Sequence, residues 1–158
     1  MNENEKALIK RLGEDTAYTF KGLHKQADWS DKKYKLYLSV PIIFSIISLG
    51  FDEEIASLAL KGIAVLSLIV TVLALMDQKE FEKSNGYREL ADKIKYIYDK
   101  SERYFSLEDF SQYEILCNEW DLIRKDLKDY PIGSFAYKRT KKVINQEMNL
   151  SWLGAGNS

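Results

Sequence analysis

Two apolar segments joined by a short acidic bend dominate the pattern of hydrophobic and polar positions. The first runs from Leu36 to Phe51 without a charge, and the second runs from Ile55 to Met76 with Lys61 as its one charged residue. A helix needs roughly 20 mostly apolar residues to cross a bilayer. The second segment has that length, and the first attains it with Tyr34 and Tyr37, whose rings suit the headgroup level. The pattern predicts a transmembrane helical hairpin.

The alternative is a pair of core helices in a soluble bundle, since a buried helix is also apolar on every side. Against it, Ile63 to Met76 carries no charge around the whole helix, whereas 30% of the chain is charged. The membrane interpretation explains this contrast better.

Lysines set the expected orientation of the hairpin. Lys32, Lys33 and Lys35 lie just before the first span, and the bend from Asp52 to Glu54 is acidic. Because lysine beside a span tends to stay in the cytoplasm, we expect both termini there and the bend on the opposite side. The bend is interpreted as a polar turn, with a cation-attracting pore mouth as the alternative. The charged start of the chain predicts no signal peptide.

Small residues mark a candidate pore wall in the two spans. In the second span they follow a heptad pattern, which places them on one stripe: Ala64, Ser67, Thr71 and Ala74. Small side chains let helices approach closely in lipid. The stripe either packs against the first span of the same chain, where Pro41 permits a kink, or lines a water path between several copies. The hydroxyl-bearing candidates for that path are Ser45, Ser48, Ser67 and Thr71.

Helical periodicity continues outside the hairpin. Residues 5–29 carry a narrow apolar face with Leu8, Leu12 and Tyr18, which predicts a solvated packing helix or an amphipathic helix at the membrane surface. The second span is expected to continue as one helix to about Tyr104. The apolar face of that continuation is Phe81, Tyr87, Leu90, Ile94, Ile97 and Tyr98.

Two further helices are expected near the end of the chain. Ser106 and Asp109 have the spacing of a capping box, which predicts a helix that stops at Pro131. Its seam is Tyr113, Leu116, Trp120, Ile123, Leu127 and Tyr130. The last helix is expected from Ser134 to about Met148, before a tail at 151–158. The expected division of the chain is an N-terminal cytoplasmic helix (1–33), the hairpin (34–76), a cytoplasmic helical region (77–150) and the tail.

The last predicted helix carries the densest basic cluster of the chain. Its members are Tyr137, Lys138, Arg139, Lys141 and Lys142. The cluster is interpreted as a solvated face or a patch attracted to anionic lipid. The alternative is a site for a phosphorylated ligand, with Tyr137 or Tyr130 stacking on a base.

Composition offers little enzyme chemistry. The 158 residues have a net charge of −1, which argues against bulk attraction to duplex nucleic acid. One histidine, His24, and one cysteine, Cys117, leave no zinc ligand set and no internal disulfide. Cys117 is expected to be a small buried hydrophobe. We therefore expect no catalytic residues, no metal and no cofactor.

The order of elements resembles the SLATT family. A polar N-terminal helix ends in lysines and tyrosines, a close pair of spans has a short acidic bend, and the second span leads into a helix containing NGYRELADKIKYIYDK. The similarity covers roughly residues 15–145, with Tyr87, Leu90 and Ala91 as its local match. SLATT proteins are bacterial two-span membrane effectors associated with nucleotide-signalling defence systems. The resemblance implies a pore-forming effector in the bacterial inner membrane, governed by a nucleotide second messenger from a partner nucleotidyltransferase.

The sequence thus predicts an all-α fold with a two-span transmembrane hairpin and a cytoplasmic helical bundle. A hairpin is too thin to enclose water, so conduction requires a homo-oligomer around an axis. We expect a channel in the lipid bilayer, gated through its cytoplasmic helices by a nucleotide or oligonucleotide that prefers one state. The alternatives are a non-conducting membrane-anchored scaffold that recruits a partner and a soluble helical binding module; an enzyme has the least support.

Overall fold

The computed structural model describes residues 2–49 and 56–147, apart from the side chains of residues 49, 56–59, 80 and 145–147. The predicted acidic bend and tail lie outside the described residues. Within the described part all regular elements are helical, which confirms the predicted all-α class. The α-helices are α1 (Glu3–Leu49), α2 (Ala56–Met76), α3 (Gln78–Glu82), α4 (Ser84–Ser106), α5 (Tyr113–Asp126) and α6 (Ser134–Glu147), and a 3₁₀ turn (Leu127–Asp129) follows α5.

The chain divides into two compact units, which we describe separately. The bundle unit comprises Met1–Ala27 and Asn85–Ser158, and the hairpin unit comprises Asp28–Ser84. Among the described residues, no helix combines the length and the hydropathy of a membrane span.

The bundle unit is built around one apolar core. The predicted inner face of α4 is confirmed, because Ile94 and Ile97 are fully buried. The seam of α5 also packs inward, with Leu116 and Trp120 in the core and its other members half-buried against it. The buried side chains of the core are Leu12, Ala17, Phe20, Leu23, Ala27, Tyr87, Leu90, Ala91, Ile94, Ile97, Tyr98, Leu116, Trp120 and Ile144.

Two local predictions for the bundle unit are wrong. Leu8 is 43% exposed and its neighbour Ile9 is buried, because Ile9 is in register with the fully buried Thr16 and Leu23 at seven-residue spacing. Ser106 ends α4 and does not cap α5, since its hydroxyl donates to the carbonyl of Glu102. The Asp109 carboxylate instead accepts from the amide of Ser111, 2.9 Å away, in the connection before α5. The capping-box spacing therefore marks a turn between helices.

In the hairpin unit, α1 runs antiparallel to the segment from Asp77 to Ser84, which contains α3. Ser84 donates to the carboxylate of Asp31, and the Tyr34 ring lies 4.8 Å from the ring of Phe81. Further along α1, the Tyr37 hydroxyl reaches Asp77 at 3.5 Å. Later residues of α1 thus meet earlier residues of this segment, as in a helical hairpin.

The predicted continuous helix from Met76 to Tyr104 is wrong. α2 ends at Met76, α3 spans five residues, and Lys83 separates it from α4. Asp77 has φ −89° and ψ 1°, outside regular helix geometry. Its carboxylate accepts a hydrogen bond from Lys33 of α1, so the break in the helix coincides with this contact. Aspartate also has a low helix propensity, which favours a break at this residue. Phe81, predicted on the face of α4, lies in α3.

Candidate functional site

The first candidate site is the base of the hairpin unit, where charged and aromatic side chains meet. The Lys33 ammonium forms a partly buried ion pair with the Asp77 carboxylate. That hydrogen bond raises the pKa of Lys33 above its ordinary value of 10.5. The Lys33 ammonium also lies 5.5 Å from the centre of the Tyr37 ring. The Tyr37 and Phe81 rings pack in a T-shaped arrangement, with 5.9 Å between their centres. Lys33 was predicted only as one of the lysines that precede the first span, and this cluster was not predicted.

Beyond the base, the hairpin helices expose large apolar side chains. On α1 these are Leu36, Leu38, Ile42, Ile43, Ile46 and Ile47, and on α2 they are Val65, Leu66, Leu68, Ile69, Val72, Leu73, Leu75 and Met76. They include consecutive residues, such as Leu68 and Ile69, so they lie around most of each helix. The polar side chains among them are the hydroxyl groups of serine, threonine and Tyr37, and the exposed Lys61 lies nearer the start of α2. This surface is therefore apolar on nearly every side.

The four predicted pore residues divide into two pairs. Ser48 and Ser67 are half-buried, whereas Ser45 and Thr71 are exposed. The half-buried positions of α2 repeat every three or four residues and are Leu60, Ile63, Ser67, Val70 and Ala74. The predicted stripe is thus split, because Ser67 and Ala74 lie on the covered side and Ala64 and Thr71 lie outside it. Large apolar residues, which the small-residue pattern passed over, complete the covered side.

The hydroxyl groups of the hairpin bond to their own helices. Ser45 donates to the carbonyl of Pro41, and Ser48 donates to the carbonyl of Phe44, both at 2.8 Å. Thr71 donates to the carbonyl of Ser67 at 2.8 Å. Such bonds satisfy a hydroxyl donor without water. These side chains therefore suit an apolar surrounding and retain acceptor capacity for water.

The second candidate site, the basic cluster of α6, lies on the exposed side of that helix. All five members are exposed, and the buried face of the helix consists of Ala136, Thr140, Val143 and Ile144. Tyr137 and Lys141 line a cavity, which Lys138, Arg139 and Lys142 do not. The Arg139 guanidinium instead lies 5.3 Å from the centre of the Phe135 ring.

The cavity that Tyr137 and Lys141 line has a volume of about 650 Å³. α1 contributes Glu14 and Asp15 to it, and α5 contributes Arg124. The cavity also includes Tyr18, Thr19, Trp120 and Leu127. The residues of α1 and Arg124 were not predicted as site residues, because scattered charges at helical spacing are typical of a solvated face.

The one histidine and the one cysteine have separate surroundings. His24 Nε2 lies 3.5 Å from Asp92 Oδ1 and its ring packs edge-on against Phe20. Cys117 is half-buried, and so more accessible than predicted. Burial, together with a hydrogen bond to Cys117, raises the pKa of Tyr113 to about 12. Within the described part of the chain, no group of acidic, histidine or cysteine side chains has the arrangement of a metal site.

Comparisons with known protein families, with characterised proteins and with solved structures find no match for this chain. The fold and the two candidate sites therefore define its class by physical features alone: an all-α protein that combines an apolar helical hairpin with a charged helical bundle unit.

Proposed function

We propose that the chain is a subunit of a homo-oligomeric membrane channel, with the hairpin unit in the bilayer. The observation that carries the proposal is the exposed apolar surface of α1 and α2. Contiguous apolar surface of this extent on a folded protein typically marks a membrane or protein interface. Residues 50–55, which lie between α1 and α2 in the sequence, are outside the described residues. The assignment of the two apolar segments as membrane spans is therefore part of this proposal.

The base of the hairpin unit supports a membrane location. The exposed apolar positions begin at Leu36 on α1 and end at Met76 on α2, and the ion pair of Lys33 with Asp77 follows at the same end. Tyr34 and Tyr37 lie there too. Tyrosine and lysine are the residues that anchor helices at the headgroup level. This end of the hairpin therefore suits the cytoplasmic surface of a bilayer.

The wider biological role extends this proposal. The proposed family is SLATT, and the proposed role is that of a pore-forming effector in bacterial antiphage defence, placed in the inner membrane with both termini in the cytoplasm. A nucleotide second messenger from a partner nucleotidyltransferase would act on the bundle unit and shift the channel between two states. The support is the order of elements in the sequence, and the exposed basic side chains of α6 provide charge for an anionic ligand.

Ion flux tests the channel. The purified full chain is reconstituted in liposomes loaded with a K⁺-sensitive dye, and flux is measured with and without cyclic oligonucleotides. Replacing both Ser67 and Thr71 by leucine is expected to lower the flux at least tenfold, since apolar side chains in a narrow path exclude water. Ser39→Leu is the matched control, because Ser39 is an exposed serine of α1 outside the proposed path. Absence of flux under every condition would remove the channel proposal.

A membrane-anchored scaffold is the second candidate. It is favoured by the hydroxyl groups of Ser45, Ser48 and Thr71, which all bond within their own helices and so require no water path. A scaffold predicts that the variant with leucine at both Ser67 and Thr71 protects cells from phage as well as the wild-type chain does. A channel predicts that this variant loses activity while its membrane content stays the same.

A further inference from the structure

We propose that the cavity between α1, α5 and α6 binds a small amphoteric molecule, with a cationic end, an anionic end and a flat apolar middle. The cavity lies wholly in the bundle unit. Its volume of about 650 Å³ is within the range of about 300–1,000 Å³ that is typical of small-molecule sites. The inference does not depend on the channel, because it concerns binding alone.

Charge is the first argument for the amphoteric class. α1 contributes two carboxylates, Glu14 and Asp15, whereas the cations Arg124 and Lys141 come from α5 and α6. Within the described part of the chain, none of these four side chains has an ion-pair partner within 4.0 Å. The two signs therefore face the cavity from different helices without neutralising each other directly. A ligand that carries both charges would bridge them.

Aromatic side chains provide the second argument. Trp120 belongs to the core and is 8% exposed, so its ring is held in place where it meets the cavity. Tyr18 and Tyr137 contribute two further rings, from α1 and α6. Rings on three helices offer flat apolar contacts to the middle of a ligand.

The equal number of cations and carboxylates also selects against other ligands. A polyanion would gain from Arg124 and Lys141 but would be repelled by Glu14 and Asp15. A purely cationic ligand would gain from Glu14 and Asp15 but would be repelled by Arg124 and Lys141. Because the carboxylates come from α1 and the cations from α5 and α6, the ligand is expected to direct its cationic end toward α1 and its anionic end toward α5 and α6.

Binding is tested with 4-(aminomethyl)benzoate, which has an ammonium and a carboxylate on opposite ends of a ring. Benzylamine has the ring with only the ammonium, and benzoate has the ring with only the carboxylate. The full chain in detergent is used with Trp29 and Trp152 replaced by phenylalanine, so that Trp120 is the fluorescent reporter. We expect the zwitterion to change Trp120 fluorescence at millimolar concentration, with an affinity at least tenfold above that of either half. No response to the zwitterion, or equal affinities for all three, would overturn the proposal.

Neighbouring lysines of α6 provide matched variants. Lys141→Gln removes a cation from the cavity, whereas Lys142→Gln removes the charge of the next residue, which is also exposed and lies outside the cavity. We expect the first to weaken zwitterion binding about tenfold and the second to change it by less than about twofold. Circular dichroism melts verify that both variants fold. Equal affinities in the two variants would contradict the assignment of Lys141.

Discussion

At the scale of single residues, Gly86 shows why a poor helix former is present inside α4. A Cβ atom added at this position would lie 2.6 Å from Cε1 of Tyr130, closer than atoms in contact can approach. The Tyr130 ring is held by an edge-on contact with Tyr87, at a centroid distance of 5.2 Å. Tyr87 is itself buried and donates to the carbonyl of Pro131 at 2.9 Å. Gly86 thus lets Tyr130 pack close to the helix backbone.

The first prediction concerns Gly86→Ala. Alanine would gain about 1 kcal/mol of helix propensity, but displacing the Tyr130 ring is expected to cost about 1–3 kcal/mol. We therefore expect a net loss of stability in chemical unfolding of the full chain. In a Tyr130→Ala background the same substitution should stabilise the protein, since the ring is gone. A loss of equal size in both backgrounds would show that Tyr130 is not the cause.

At the scale of helices, the spacing of apolar residues was enough to predict which face of a helix is buried. Buried positions recur every three or four residues in α4 and α5, so their inner faces were predicted. The predicted stop at Pro131 is later than the observed one, because α5 ends at Asp126 and the 3₁₀ turn after it ends at Asp129. The break at Asp77 was not predictable in the same way. It coincides with an ion pair to Lys33, 44 positions earlier in the chain, and no local pattern contains that contact.

The second prediction concerns this ion pair. Lys33→Asp and Asp77→Lys are each expected to lower the stability of the full chain by about 1 kcal/mol, because the pair is only partly buried. The double swap restores opposite charges and is expected to recover part of this loss. Lys32→Asp is the matched control, since Lys32 is exposed. Thermal unfolding in detergent measures all four variants. Equal losses for the control and the two single variants would mean that the pair contributes nothing specific.

The same ion pair predicts a dependence on pH. The pKa of Lys33 is raised in the folded chain, so its stabilising contribution is fully present below the ordinary value of 10.5. It is lost as the pH rises through the raised value, because deprotonation removes the charge. We expect the stability difference between the wild-type chain and Lys33→Met to be constant at neutral pH and to shrink in alkali. A difference that grows with pH would contradict this sign.

At the scale of the whole molecule, the two units have different surfaces. The hairpin unit exposes consecutive apolar residues, whereas the charged residues of the bundle unit lie outside its apolar core. The apolar segments were predictable because each is continuous in the sequence. The cavity was not, since Glu14, Arg124 and Lys141 come from three helices and only the fold brings them together.

The difference between these surfaces leads to the last prediction, which compares two leucines of nearly equal exposure. Leu68 of the hairpin unit is 64% exposed and Leu122 of the bundle unit is 63% exposed. Each is replaced by cysteine in a Cys117→Ser background and treated with a membrane-impermeant maleimide in native membranes. If lipid surrounds α2, the cysteine at 68 should react at least tenfold more slowly than the cysteine at 122, because the reactive thiolate forms poorly in an apolar surrounding.

Denaturing detergent provides the control for this comparison, since both cysteines should then react at the same rate. A slow reaction at position 68 that persists in denaturing detergent would reflect the thiol itself and not its surroundings. Equal rates in native membranes would mean that water reaches this face of α2. Because the exposed residues of α2 around Leu68 are apolar apart from Thr71, that result would remove the membrane location and the channel with it, while the bundle unit and its cavity would be unaffected.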